Sequence, residues 1–132
     1  MRKARSPGVG FARSFATALR GLVLFFQFQR NARIQAAAGI LACLAAWILG
    51  LATWQKVVVV LCIGAVLAAE AFNSAIERLA DRVTAEPDPL IRDAKDLAAG
   101  AVLLAAVTAA VVGVVVFFPS LAKLFANGFA GN

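Results

Sequence analysis

The sequence predicts an all-α membrane protein with an N-terminal amphipathic surface helix and three transmembrane helices. Three observations lead there. Of the 132 residues, 62% are hydrophobic, there is no His or Tyr, and the mean hydropathy is +0.86, a composition outside that of soluble domains. Residues 36–52 and 97–118 carry no charge, and each is close to the ~20 residues a helix needs to cross a bilayer. The charges are also segregated, since all seven acidic residues lie between Glu70 and Asp96.

The elements follow in order. Residues 8–29 read as a helix lying flat on a membrane: Phe11, Phe15, Ala18, Leu22, Phe25 and Phe26 gather on one face, with Arg13, Thr17, Arg20 and Gln27 opposite. A signal peptide with residues 21–28 as its apolar region is the rival reading. It is disfavoured because Arg30 and Arg33 follow at once with no clean cleavage site before the next span. The first span is expected over residues 33–52. Ala38, Ala42, Ala46 and Gly50 recur there every four residues, as Ala101, Ala105, Ala109 and Gly113 do in the third span, a spacing that lets helix backbones approach closely. A short turn with Trp47 and Trp54 near the interface leads to a second span over 56–80, which reaches spanning length only by including Glu70 and Asn73. Glu86-Pro87-Asp88-Pro89 should break that helix and turn the chain back. A third span follows over 93–118, ended by Pro119, with 119–132 as a loose interfacial tail. The whole chain, 1–132, forms one membrane-embedded domain.

Of the thirteen basic residues, seven precede the first span (Arg2, Lys3, Arg5, Arg13, Arg20, Arg30 and Arg33) and four lie between the second and third (Arg78, Arg82, Arg92 and Lys95). The positive-inside rule then predicts a multi-pass protein of the plasma (inner) membrane, with the N-terminus and the 81–96 connection cytoplasmic. Topology and anionic headgroups account for the net charge of +6, so no nucleic-acid partner is implied. Cys43 and Cys62 fall within apolar spans, without the companions a metal or redox motif requires.

Glu70, Asn73, Glu77 and Asp81 project within roughly 80° of one another on a helical face. A charge at membrane depth costs on the order of 3 kcal/mol even on lenient scales, so the stripe points to function. Carboxylates beside Lys95 suit a hydrated magnesium ion with a polyphosphate, and the deep Glu70 could accept a proton from a lipid hydroxyl. There is no Walker loop and no HRD or DFG sequence. On spacing alone, a structural role or a small cation channel or proton-relay subunit remains open. Lys95 favours phosphate over a cation path.

The string from Glu70 to Arg82, EAFNSAIERLADR, followed by Ala94-Lys95-Asp96 and the apolar run after it, resembles the prokaryotic diacylglycerol kinase and undecaprenol kinase family. ExxNxxxE and AKD stand at the family's separation, and Phe15, Ala18, Gly21 and Asn31-Ala32-Arg33 extend the likeness. The resemblance implies an ATP-dependent kinase of a lipid alcohol, using magnesium and working as a homotrimer with active sites shared between protomers. It makes Glu70 the catalytic base, Asn73 the residue that positions the reacting groups, and Glu77 a magnesium ligand. Lys95 and Asp96 become nucleotide contacts, with Glu86, Pro87 and Asp88 nearby. Two positions depart from the family pattern: Gln29 stands where a second metal-binding Glu is expected, and Thr17 where some members cover the adenine with an aromatic ring. Val83-Thr84, Pro89-Leu90, Ala98-Ala99-Gly100-Ala101 and Phe117-Phe118-Pro119 look more like the undecaprenol kinase branch than the diacylglycerol kinase branch.

Overall fold

The structure, a computed structural model, describes residues 7–84 and 86–130, with side chains over 10–84 and 86–126. Arg2, Lys3 and Arg5, counted above among the basic residues, and residues 131–132 of the expected tail lie outside this range. The described residues form four helices: α1 (Pro7–Phe28), α2 (Arg30–Ile48), α3 (Thr53–Val83) and α4 (Pro89–Ala130). The last three are long and apolar enough to cross a membrane. α3 packs along both α2 and α4, whereas α1 touches α2 only lightly.

The turn between α2 and α3 is a Schellman motif. Gly50 takes a left-handed φ of 63°, its N–H donates to the Trp47 carbonyl, and the Leu51 N–H donates to Ala46. Glycine adopts that φ without the steric cost of a Cβ. Leu51 thereby turns inward onto Ala46, Val59 and Val116, the buried cluster that joins α2, α3 and α4 at this end of the bundle. Outside it, Lys56 lies 4.2 Å from the Trp47 ring centroid, a cation held over an aromatic face.

The small-residue face of α2 is partly as expected: Ala46 is buried and Ala42 packs against the core cluster. The tightest approach is at Gly39, where an added Cβ would stand 2.8 Å from Ile63 Cγ2. In α4, Ala101 faces outward and Gly113 has open space beside it, so neither makes a comparably close contact among the described residues.

Helix α3 ends at Val83, and α4 starts at Pro89 with Asp88 before it. The Asp88 carboxylate accepts from the Leu90 and Ile91 N–H groups at 2.8 and 3.1 Å. It is a capping residue followed by proline in the first helical position, where the missing N–H does no harm. The capped start extends the third span four residues ahead of the expected boundary.

The far end of α4 requires a correction. Pro119 does not terminate the helix, and residues 119–130 are not a loose tail, because α4 runs through Pro119 to Ala130. Proline fixes φ near a helical value, and the Leu, Ala and Lys residues beyond it favour helix. Beside this turn the Gln55 amide donates to the Val116 carbonyl at 3.4 Å, and its oxygen accepts the Ala52 N–H at 2.9 Å. One side chain thus ties the start of α3 to the turn of α4 that precedes Pro119.

Candidate active site

The polar stripe of α3 lies on one helical face as its spacing predicts, and its exposure is graded. Glu70, Asn73 and Ser74 are only 4%, 8% and 5% exposed, Glu77 is half-buried and Asp81 is exposed. The deep part is therefore dry and the shallow part wet. Asn73 Nδ2 donates to Glu77 Oε1 at 3.3 Å across one helical turn, and Gln35 Nε2, from α2, donates to Glu70 Oε2 at 3.4 Å. Gln35 Oε1, Asn73 Oδ1 and Ser74 Oγ are buried without partners. Buried polar atoms are normally paired, so three idle ones around a buried carboxylate leave this pocket with spare hydrogen-bonding capacity.

A second group of residues surrounds the connection between α3 and α4. Glu86, Pro87, Asp88, Lys95 and Asp96 all line one open cavity of about 830 Å³, together with Asp81, Arg92 and Asp93. Within it Lys95 Nζ pairs with Asp81 Oδ1 at 3.0 Å, and Asp96 faces Arg92 at 3.9 Å. Both pairs are solvent-accessible, and such ion pairs are worth only ~0–1 kcal/mol. Lys95 can therefore leave Asp81 for a more highly charged anion at little cost.

The two groups meet along α3, because Asp81 follows Glu77 by one turn. Among the described residues no three carboxylate or thiol side chains converge as a ready metal cage. Magnesium does not require one: it takes one or two protein carboxylates and completes its shell with phosphate oxygens and water. Glu77, half-buried and oriented by Asn73, fits that pattern.

Gln29 and Thr17 lie in neither group. Gln29 is the single non-helical residue between α1 and α2, occupying the capping position of α2 without a side-chain capping bond. Its neighbour Phe28 lies under the Arg78 guanidinium, 5.1 Å from ring centroid to Cζ, which brings this junction beside the turn carrying Glu77. The Thr17 hydroxyl is exposed and donates to the Arg13 carbonyl. Sequence reasoning missed Gln35 and Ser74. The available signal for Gln35 was an amide at the head of an uncharged span, and for Ser74 a hydroxyl adjoining Asn73 in the stripe.

Comparison with known proteins matches residues 16–117 to the family model described as prokaryotic diacylglycerol kinase. The chain is similar to the undecaprenol kinase of Bacillus subtilis, at 34% identity over 111 residues covering 84% of this chain and 90% of that protein. It is also similar to the diacylglycerol kinase of a Synechocystis species, at 38% identity over 112 residues covering 84% of this chain and 64% of that protein.

Proposed function

The chain belongs to the prokaryotic diacylglycerol kinase family of lipid phosphotransferases, and we propose that it transfers the γ-phosphoryl group of ATP to a membrane lipid alcohol, undecaprenol in preference to diacylglycerol. The observation that carries this reading is a buried carboxylate, Glu70, set on the same helix face as Asp81, which borders a wet cavity that contains Lys95 and is roomy enough for a nucleotide. In this reading the lipid hydroxyl donates to Glu70 from the headgroup boundary. As its oxygen forms the new bond to phosphorus, the O–H proton passes to Glu70 and the bond to the ADP oxygen breaks. ADP and a lipid phosphate leave, and Glu70 later releases the proton to water. No phospho-enzyme is needed, because positioning and charge neutralisation supply most of the catalysis.

Lys95, released from Asp81, neutralises the polyphosphate, and Asp96 with the Glu86–Asp88 loop borders the nucleotide. Magnesium, when bound with ATP, supplies further charge neutralisation. Glu77 would hold it, with Gln29 the neutral donor at the α1–α2 junction, and Asn73 fixes the Glu77 carboxylate. The bias of basic residues favours an N-terminus and an α3–α4 connection on the cytoplasmic side of the plasma (inner) membrane, and in this reading α1 lies along that surface. Large exposed residues such as Leu103, Leu104, Val111 and Val115 along α4 suit lipid or neighbouring protomers, and we take the working unit to be a homotrimer with shared sites.

The alternative of a cation channel or proton relay finds no support, since both relatives are kinases. Preference for undecaprenol rests on the branch-like strings of the sequence and on the fuller coverage of the Bacillus subtilis relative. It is tested by presenting undecaprenol and diacylglycerol side by side to the purified protein with labelled ATP. Faster labelling of undecaprenol is expected, faster labelling of diacylglycerol reverses the preference, and labelling of neither removes the kinase reading.

A further inference from the structure

We propose that Gln35 is a positioning residue for Glu70: its amide holds one carboxylate oxygen so that the other faces the lipid hydroxyl. This rests on the reading of Glu70 as the base. Gln35 lies on α2 and Glu70 on α3, and Gln35 Nε2 is the side-chain donor that the described residues supply to Glu70. At 4% exposure the carboxylate has little water to replace that bond, so its orientation depends on the amide. The bond is to Oε2, which leaves Oε1 as the oxygen free to accept a proton.

The backbone is arranged to make this reach possible. Gly39, one turn after Gln35, meets Ile63, two turns before Glu70, at a spacing that would leave only 2.8 Å between an added Cβ and Ile63 Cγ2. With α2 and α3 running in opposite directions, that close approach brings Gln35 within hydrogen-bond range of Glu70. The amide has no other use in the described structure, because Gln35 Oε1 is buried and unpaired. An amide serving only the scaffold would use both ends. Its orientation follows from charge, since a flipped amide would set its oxygen against the carboxylate. The 3.4 Å length suits a contact that tightens when substrate closes the site.

The residue also lines an apolar cavity of about 290 Å³ between α2, α3 and α4, so truncation would enlarge a void. The test therefore uses Gln35→Met, which keeps the length and removes the donor, and Gln35→His, which restores an N–H. Gln35→Met should lower kcat, by up to about 100-fold for a misplaced reacting group, with the KM for magnesium-ATP and the oligomeric state unchanged. Gln35→His should recover most of the loss. In a Glu70→Gln background, Gln35→Met should have no further effect on the residual rate, a coupling that a packing role would not produce. Retention of kcat within twofold in Gln35→Met, or an equal fractional loss in both backgrounds, overturns the proposal. Failure of the underlying reading looks different: Glu70→Gln alone would then keep its turnover, whatever residue stands at position 35.

Discussion

At Glu70 a carboxylate is placed where water cannot easily follow, held by an amide from α2. Glu70→Gln keeps the shape and removes the proton acceptor. It should lower lipid phosphorylation by ~10² to 10⁴ while nucleotide binding persists, to be checked by single-turnover assay beside equilibrium ATP binding. Retention of more than about a tenth of the rate would remove the general-base role. Gln29 offers a test of the metal reading, since magnesium favours charged oxygen donors. Gln29→Glu should lower the magnesium concentration at half-maximal activity and tighten magnesium-dependent ATP binding; an unchanged midpoint in both would place Gln29 away from the metal. The spacing of Glu70, Asn73, Glu77 and Asp81 could be read from the sequence because one helical period sets it. The Gln35 contact could not, because it depends on how closely α2 approaches α3 at Gly39, and its partners stand 35 positions apart in the chain.

The helices themselves follow from local signals: uncharged runs of spanning length, Asp88-Pro89 at the start of α4, and Gly50 at the turn. Pro119 misled because a proline is read as a stop, whereas its effect depends on what surrounds it. Here Gln55, more than 60 positions earlier, donates to the adjoining Val116 carbonyl. Gln55→Leu removes both of its bonds, to Val116 and to Ala52, and should therefore destabilise the protein by about 1 kcal/mol, the usual net worth of such hydrogen bonds. Its unfolding midpoint in a mild detergent titrated with denaturing detergent should fall. A midpoint equal to that of the unsubstituted protein would show that the Pro119 turn is supported without this side chain.

Across the whole molecule, much of the apolar surface is turned outward, α4 most of all. Three helices and a short buried cluster do not enclose a lipid, a nucleotide and a metal, which favours completion by neighbouring copies. Mixing an inactive Glu70→Gln protein with an inactive Glu77→Gln protein should restore activity in hetero-oligomers if the two residues serve one site from different protomers. Demonstrably mixed oligomers that stay inactive would confine both residues to the same chain's site. The unequal lengths of the helices have a separate consequence. At ~1.5 Å per residue, the 19 residues of α2 extend only about 28 Å, and the 42 of α4 about 63 Å, against a hydrocarbon layer of roughly 30 Å. With Trp47 and Lys56 anchoring one end, Glu70 stands about 20 Å away along α3, so its distance from the opposite headgroups is set by the lipid and not by the protein. The chain would then act as a ruler for its host membrane. Reconstituted in phosphatidylcholines of increasing acyl length, it should slow once the layer outgrows α2, as the acceptor hydroxyl is carried beyond reach of the carboxylate; a rate indifferent to chain length would mean that the substrate, or the bilayer around the protein, gives way instead.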